Sequence, residues 1–415
     1  MADSTSRRDF LKTASFGAAA LSMTASSYAR IVGANERIAI GMIGCGGRGQ
    51  RAHMSGVHPH DKTQNAEFTA VCDPWRKRRE EASALAKEWY GRPARQFVSY
   101  RDVLALDDID AVMIASCDHQ HTTHLEAAAK AKKDVYCEKP LAMDFEKLKR
   151  AVEAVKQAGV VCQIGTQVRS YPTSTGCREV YRSGALGNIS RIEQVRNGTK
   201  PYWYSRLAEV KPDEVDWQEF LMDAPDQPFN ADKFSGWYGY RDFTDGPIPG
   251  LASHFVDLIH YITGAKFPES AVAQGGIFTW KDEHHFTCPD QVQATWVYPE
   301  GFLVSYATNY GNASGNLIRF SGEEGVMNLT PWTKPTVSGE GAIRKGKLAE
   351  EKPVEPIETP DHFLDWLQCI RSRGTCNAPI EAGYQHAVAV IMAVKAMDTG
   401  KRYIYDQEKQ ETREG

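Results

Sequence analysis

The sequence predicts a two-domain α/β protein, with a doubly wound parallel sheet in the N-terminal half and an α+β domain with a mostly antiparallel sheet after it. Three observations support this fold class. Strand-like and helix-like segments alternate from about residue 37 to residue 164, which is typical of βαβ units. A glycine-rich loop directly follows the first strand-like run. After about residue 185, alternating apolar and polar residues replace the βαβ pattern.

Five apolar runs in the N-terminal half predict the strands of the parallel sheet. The segments between them have the length and apolar spacing of crossover helices, and such crossovers are almost always right-handed. The predicted strands are Arg37–Ile43, Glu67–Cys72, Ala111–Ser116, Asp134–Glu138 and Val160–Ile164. The predicted helices are Lys77–Glu88, His121–Ala131 and Phe145–Ala158.

The C-terminal half has the pattern of an antiparallel sheet with one covered face. A strand is predicted at Ser190–Arg196, and alternating residues at 291–298 and 302–306 predict a hairpin across Pro299-Glu300-Gly301. The segment 338–360 is predicted to be a loop or irregular strands. Helices that would cover the sheet are predicted at Leu251–Thr263, Asp361–Ser372 and Gly383–Asp398. We assign residues 36–165 to the first domain and 166–410 to the second.

The composition is typical of a soluble globular protein. Hydrophobic residues make up 42% of the 415 residues and charged residues 25%, and the formal net charge is −4. Because there is no basic stripe, nucleic acid is not expected as a partner. The nine cysteines contain no Cys-x-x-Cys pair, so most are expected to be buried free thiols. Cys369 and Cys376 could still pair outside the cytoplasm.

The first 29 residues have the features of a twin-arginine export signal. Ser6-Arg7-Arg8-Asp9-Phe10-Leu11-Lys12 matches the signature at every specified position. An alanine-rich apolar run follows, and Ser27-Tyr28-Ala29 supplies the small residues of a cleavage site after Ala29. The run is shorter than the roughly 20 residues of a membrane-spanning helix, although an uncleaved signal would leave an anchor. We therefore expect the twin-arginine machinery to export the folded protein to the periplasm or another extracytoplasmic space.

The glycine loop after the first strand predicts a dinucleotide site. In Gly44-Cys45-Gly46-Gly47-Arg48-Gly49, the glycines allow a tight turn and close approach to a pyrophosphate at a helix N-terminus. Asp73 ends the second strand, where its carboxylate can accept hydrogen bonds from ribose hydroxyls and so favours NAD. Arg76, Lys77 and Arg78 follow closely and can hold a 2′-phosphate, which leaves NADP open.

A second motif, Glu138-Lys139-Pro140, ends the fourth predicted strand and follows Ser116-Cys117-Asp118-His119-Gln120-His121. With the glycine loop, these motifs resemble the Gfo/Idh/MocA oxidoreductases, the group of glucose–fructose oxidoreductase and inositol dehydrogenase. The resemblance is strong from Arg37 to Ser190 and looser beyond. It implies a Rossmann domain, then a large, open, mostly antiparallel sheet, and an assembly of two or four chains.

The resemblance also assigns roles to residues of these motifs. It places Lys139 beside the nicotinamide and the substrate, and it places the cofactor along Ser116, Asp118, His121, Glu138 and Gln167. Arg169 and Tyr171 would lie at the mouth of the substrate site. Trp237 belongs to an aromatic-rich segment that suits the C–H faces of a sugar, although core or subunit-interface packing would equally explain such residues.

The second catalytic segment departs from the family's pattern. Members that act on sugars or cyclitols often carry an Asp and a His four residues apart at a helix start, where the acid orients the imidazole base. Here His254 stands at the His position and Gly250 at the Asp position. Asp257 shares the helical face of His254 and can orient the ring or pair elsewhere. We expect Lys139 and His254 to act in catalysis, with a packed or substrate-binding role for His254 as the alternative.

No metal site is expected. His284 and His285 are adjacent, and neighbouring residues of an extended segment point to opposite faces.

Export constrains the function, because no pool of NAD or NADP is maintained outside the cytoplasm. The cofactor should leave the cytoplasm already bound. The first hypothesis is an NAD(P)-dependent oxidoreductase acting on a sugar, glycoside or polyol hydroxyl, with a second substrate taking the hydride back. The main alternative is a redox-neutral glycoside hydrolase or lyase, since transient oxidation acidifies a neighbouring C–H and permits elimination. A third is a non-catalytic sugar-binding protein stabilised by dinucleotide, which the glycine at position 250 would support.

Overall fold

The computed structural model describes residues 36–415. These residues form two sheets, one parallel and one mostly antiparallel, as the sequence predicts. The predicted export signal, residues 1–29, lies outside the described part of the chain. Within residues 36–415, no helix has both the length and the apolar character needed to cross a membrane.

The N-terminal sheet has six parallel strands in the order β3-β2-β1-β4-β5-β6. The order reverses between β1 and β4, so the connections after these strands diverge and leave a crevice at their carboxyl ends. Every residue of β1, β4, β5 and β6 is buried, which explains their continuous apolar runs. The strands are β1 Ile38–Ile43, β2 Ala66–Cys72, β3 Arg95–Phe97, β4 Ala111–Ile114, β5 Asp134–Cys137 and β6 Cys162–Ile164.

Three long helices connect strands of this sheet: α1 Arg76–Tyr90, α2 His121–Lys130 and α3 Phe145–Ala158. The sequence explains the limits of α3. The Asp144 side chain caps its start by accepting from the backbone N–H of Lys147 at 2.7 Å, and Gly159 ends it with a positive φ of 63°. Its apolar residues recur at helical spacing and are buried against the sheet.

The C-terminal sheet has ten strands in the order β14-β13-β12-β11-β7-β10-β9-β8-β15-β16. Strands β9 and β10 form the predicted antiparallel hairpin, whereas β7 and β10 pair in parallel. The strands are β7 Ile189–Val195, β8 Ser270–Gly276, β9 Gln291–Val297, β10 Leu303–Asn309, β11 Leu317–Gly322, β12 Gly325–Asn328, β13 Thr336–Ser338, β14 Lys352–Pro353, β15 Tyr403–Asp406 and β16 Glu411–Glu414.

Helices cover one face of this sheet and join it to the first domain. They are α4 Pro172–Arg182, α5 Ser253–Thr263, α6 His362–Ser372 and α7 Ile380–Thr399. Helix α7 packs on β8, and its Ala389 carbonyl accepts from Trp296 Nε1 at 2.8 Å. Helix α6 returns to the parallel sheet, where Trp366 Nε1 donates to the Val135 carbonyl at 3.1 Å. The domain boundary predicted after residue 165 therefore does not separate the two sheets in space, because α6 of the second domain packs against the sheet of the first.

All nine cysteines are free and buried, as their apolar settings predict. Cys369 and Cys376 lie close together: their sulfur atoms and a carboxylate oxygen of Asp365 are within 4.8 Å of one another. Asp365 and Cys369 lie on α6, and Cys376 follows the helix in the chain.

Candidate active site

A cavity of about 650 Å³ lies at the crevice between β1 and β4. We call it the cofactor cavity. From the first domain, the glycine loop, Asp73 and Ser116 line it. From the second domain, residues 205–208 and the Trp237-Tyr238 pair line the opposite side. A ligand in this cavity would be held between the two domains.

The glycine loop has the shape of a phosphate cradle. Gly44 has φ of +89°, and a Cβ there would lie 2.5 Å from the backbone of Ala115 and Ser116, so no larger residue fits. A Cβ at Gly49 would lie 2.1 Å from the Gly44 carbonyl oxygen. At Gly46, by contrast, a Cβ would meet nothing within 4 Å, because the backbone there faces open space. The loop thus fits a dinucleotide pyrophosphate.

Asp73 is buried beside this loop. Its two carboxylate oxygens accept from the backbone N–H groups of Cys45 at 2.7 Å and Trp75 at 2.9 Å. Burial raises the pKa of Asp73 to about 6 despite these bonds. Of the basic residues that follow, Arg78 lines the cavity, whereas Arg76 is exposed. Of the three predicted basic residues Arg76, Lys77 and Arg78, Arg78 is therefore the one that could reach a ligand in this cavity.

Glu138 stays ionised although it is buried. Its Oε1 lies 3.2 Å from His53 Nε2 and 3.7 Å from Arg48 Nε. Burial by itself raises the pKa of Glu138, but the contacts with His53 and Arg48 outweigh it and hold this pKa well below its ordinary value. The carboxylate also accepts from the backbone N–H of Lys139 at 3.0 Å, so Glu138 fixes the chain at the neighbouring lysine.

Lys139 lines a small polar cavity next to the cofactor cavity, here called the lysine cavity. Its Nζ donates to the Gly250 carbonyl at 2.8 Å, which leaves two further N–H groups for a ligand. Burial lowers the pKa of Lys139, although Glu138 opposes the shift. Asp118 lines the same cavity, accepts from Thr244 Oγ1 at 2.7 Å, and has its pKa raised to about 7 by burial.

His254 is close enough to Lys139 to be affected by its charge. Burial and then Lys139 lower the pKa of His254 well below its ordinary value, so the ring is neutral at neutral pH. Its Nδ1 is buried and has no hydrogen-bond partner among the described residues. A neutral imidazole with an unused ring nitrogen is available to take a proton.

The structure pairs Asp257 with Arg169 and not with His254. Both oxygens of Asp257 accept from Arg169, at 2.9 Å from Nε and 2.5 Å from Nη2. Arg169 also donates to the Asn377 carbonyl at 3.0 Å and is buried. Of the two roles predicted for Asp257, pairing elsewhere is therefore the one that the structure shows. The prediction of Arg169 as a substrate ligand is corrected, because both residues form an internal ion pair that joins α5 to the segment after β6.

Replacing Asp257 by alanine is expected to destabilise the protein by about 3–5 kcal/mol, because it leaves the Arg169 charge buried and unpaired. The free energy of unfolding in urea measures this loss. The double variant Asp257→Leu and Arg169→Met, which removes both charges, should recover much of the stability. A fully stable Asp257→Ala protein would contradict the buried pair.

Four other residues that the sequence predicts in the site lie in different surroundings. His121 contacts two carbonyl oxygens, of Pro140 at 2.7 Å and of Ser116 at 3.1 Å, so its ring braces the backbone next to Lys139, and it also lines the lysine cavity. Gln167 has a buried Oε1 that finds no hydrogen-bond partner within residues 36–415 and can serve a ligand. Tyr171 packs against the core. Trp237 stacks on Tyr238 at the cofactor cavity, and so it lies at the cofactor side rather than the predicted substrate side.

A third cavity, of about 460 Å³, lies on the face of the C-terminal sheet and is here called the sheet cavity. Gln194, Tyr202 and Tyr310 line it with buried polar atoms that have no partner among residues 36–415. Trp332 also lines it and meets the His254 ring edge-on at 6.1 Å. Tyr202 stands in the aromatic stretch Tyr202-Trp203-Tyr204, which is a signal that reasoning from the sequence could use. Polar atoms beside an aromatic ring are suited to a carbohydrate.

Two family models match this chain. The NAD-binding Rossmann fold of an oxidoreductase family matches residues 38–166, and the C-terminal α/β domain of that family matches residues 224–404. The protein belongs to the Gfo/Idh/MocA family. Its parallel sheet followed by a mostly antiparallel sheet is the architecture of Gfo/Idh/MocA structures.

Individual Gfo/Idh/MocA relatives are more distant. An inositol 2-dehydrogenase from Rubrobacter xylanophilus is 33% identical over 159 residues, which are 37% of this chain and 42% of that protein. A 2,7-anhydro-N-acetylneuraminate hydratase from Escherichia coli is 25% identical over 269 residues, 64% of this chain and 60% of that protein. The chain spans about half the length of the curated relatives it matches.

Among solved structures, the aldose-aldose oxidoreductase of Caulobacter crescentus, complexed with glycerol, is similar with a TM-score of 0.67 at 18% identity. The match covers 89% of this chain and 99% of that one. At this identity the likeness concerns the fold, which the two chains share over nearly their whole described length.

Proposed function

We propose that this protein is an exported NAD(P)-dependent oxidoreductase that acts on a hydroxyl of a sugar, glycoside or polyol and keeps its nicotinamide cofactor bound throughout the cycle. The observation that carries the proposal is the position of Lys139 beside the cofactor cavity and close to His254. The lysine cavity shares Arg48, Ser116 and Tyr238 with the cofactor cavity. The charge of Lys139 acts on the neutral His254, whose ring contacts Trp332 at the wall of the sheet cavity.

The side chains have complementary roles. When bound, the nicotinamide supplies the hydride acceptor of one half-reaction and the hydride donor of the other. Lys139 holds the substrate oxygen through the N–H groups that Gly250 does not use. His254 is neutral, and its Nδ1 has no partner among the described residues, so this ring takes the hydroxyl proton and returns it when the next substrate is reduced.

Retention of the cofactor is supported by the walls of its cavity. A dinucleotide lying on the glycine loop would have residues 205–208, Trp237 and Tyr238 on its other side. Arg206 Nη1 lies 3.6 Å from the position of a Cβ at Gly47, so it closes over the loop itself. Release would require these segments to move apart, which would slow dissociation.

We propose NAD as the resident cofactor. The buried Asp73 carboxylate suits ribose hydroxyl donors and disfavours a 2′-phosphate in the same place. Arg78 at the cavity wall is the feature that would favour NADP, but its Nη1 is paired with Glu81 at 2.7 Å.

Export through the twin-arginine route fits a resident cofactor. This route carries proteins that have already folded, and the residues that support it are Arg7 and Arg8 with the motif around them. Fusing residues 1–35 to a reporter should move it out of the cytoplasm only while both arginines are intact. Export of an Arg7→Lys and Arg8→Lys fusion would contradict the proposal.

Turnover without added cofactor tests the activity. The purified protein is incubated with free aldoses, polyols and aryl glycosides, one at a time, while its nicotinamide absorbance is followed. The expected result is a change equal to one cofactor equivalent with a hydroxyl donor, reversed by a second sugar. A protein that turns over only when free NAD is added, or with none of these compounds, would contradict the proposal.

A redox-neutral lyase or hydrolase is the second candidate. It is favoured by the departure at Gly250 and by similarity to a protein named a hydratase, since hydration needs no net oxidant. In the same assay this activity would release the aglycone of a glycoside with no net change in nicotinamide absorbance.

We further propose a homo-oligomer formed through the open face of the C-terminal sheet. Val272, Val297 and Leu303 are 48%, 38% and 40% exposed on this face, and Leu303 pairs directly with Val297. Light scattering should show a dimer or tetramer, and Leu303→Glu should yield a smaller species. A monomeric wild-type protein would contradict the assembly.

A further inference from the structure

The structure leaves no room for a side chain at position 250. It is not among the residues with positive φ, so its backbone does not require glycine. A Cβ at this position would lie 2.7 Å from the Tyr202 hydroxyl oxygen and 3.8 Å from its Cζ. The phenol hydroxyl therefore occupies the space in which any side chain at position 250 would begin.

The Tyr202 hydroxyl is buried and has no hydrogen-bond partner among the described residues. Leaving such a group unpaired costs about 1–3 kcal/mol, which a ligand oxygen would recover. Its neighbours are aromatic: the rings of Trp203, Tyr238 and Tyr310 lie 5.4, 5.2 and 6.2 Å away, centre to centre. These rings fix the orientation of the phenol without using its hydroxyl.

Gly250 links this hydroxyl to the catalytic lysine. Its carbonyl accepts from Lys139 Nζ at 2.8 Å, while its Cα faces the Tyr202 hydroxyl. Gly250 lines the lysine cavity and Tyr202 lines the sheet cavity. The contact between Gly250 and the Tyr202 hydroxyl therefore lies between the lysine cavity and the sheet cavity.

We propose that Tyr202 is a catalytic residue that donates a hydrogen bond from its hydroxyl to the substrate oxygen held by Lys139, in the place left by the glycine at position 250. The proposal rests on the proposed function. Tyr202 neither gains nor loses a proton over the cycle. Burial raises the pKa of Tyr202 well above its ordinary value, which keeps the phenol neutral and able to donate. Proton transfer remains with His254.

The first test compares Tyr202→Phe with the wild-type protein. The variant should lose about 10²-fold or more in kcat, as when one donor to a developing oxyanion is removed, with KM changed less. It should keep its bound cofactor and unfold no more easily, because an unpartnered hydroxyl has been removed. Tyr90→Phe is the control: Tyr90 is partly buried, lines none of the three cavities, and its loss should leave kcat unchanged.

A double-mutant cycle tests the contact itself. Gly250→Ala should destabilise the wild-type protein, because its Cβ meets the hydroxyl. In the Tyr202→Phe background the same change should cost much less, since the next atom is at 3.8 Å, but activity should not return. Equal destabilisation in both backgrounds would overturn the proposed contact.

The outcomes separate this proposal from the one on which it rests. Wild-type turnover together with an unchanged kcat in Tyr202→Phe would overturn the role of Tyr202 and leave the oxidoreductase standing. If the wild-type protein turns over no sugar, glycoside or polyol, the proposed function fails, and the role of Tyr202 fails with it.

Discussion

Replacing Lys139 by alanine is expected to lower turnover by about 10³-fold or more while leaving the cofactor bound. The substrate oxygen would lose a cationic hydrogen-bond donor, because the Lys139 side chain lines the lysine cavity. The glycine loop, Asp73 and the residues that cover the cofactor do not depend on this side chain. Single-turnover kinetics on protein of known cofactor content measures the loss.

Two controls sharpen this prediction. Lys147→Ala removes a surface lysine that pairs with Asp223 and should leave turnover unchanged. Lys139→Arg keeps the positive charge but replaces a compact ammonium by a larger, planar guanidinium group. It should therefore recover little activity. Full turnover by Lys139→Ala would remove this residue from the mechanism.

Replacing Gly46 by valine is expected to give a folded protein without cofactor. A Cβ at this position meets no protein atom within 4 Å, so the chain can accept it. The new side chain would fill the space that the pyrophosphate needs. The dinucleotide released on denaturation should fall to background, and turnover should fall with it.

Gly44→Ala is the matched control. Its Cβ would lie 2.5 Å from backbone atoms at Ala115 and Ser116, and φ is +89°, so this smaller change should impair folding itself. The two variants are compared by thermal unfolding of the cofactor-free proteins. A Gly46→Val protein that retains its dinucleotide would show that the loop is not the cofactor site.

The parallel sheet was predictable because burial on both faces leaves a simple signal. Strands β1, β2, β4, β5 and β6 are apolar runs, and their predicted limits differ from the observed ones by at most two residues. Strand β3 was missed because it has three residues, two of them the exposed Arg95 and Gln96. Such an edge strand carries no periodicity.

The catalytic constellation was predictable only in part. Local motifs indicate the glycine loop, Asp73 and Lys139, because each stands next to a strand end. Spacing alone puts Asp257 on the face of His254, but it cannot show that Arg169, 88 residues away, takes both carboxylate oxygens. Likewise, the glycine at position 250 signals a missing acid, whereas the Tyr202 hydroxyl that fills its place comes from a distant segment.

We propose that the protein is exported with its nicotinamide as a resident group. The most direct test purifies the protein from the extracytoplasmic fraction, dialyses it extensively, denatures it and measures NAD(H) and NADP(H) in the supernatant. We expect a full equivalent of NAD(H) per chain, with turnover of sugar pairs undiminished by dialysis. Exported protein that carries no dinucleotide, or that gains activity only from added NAD, would contradict it.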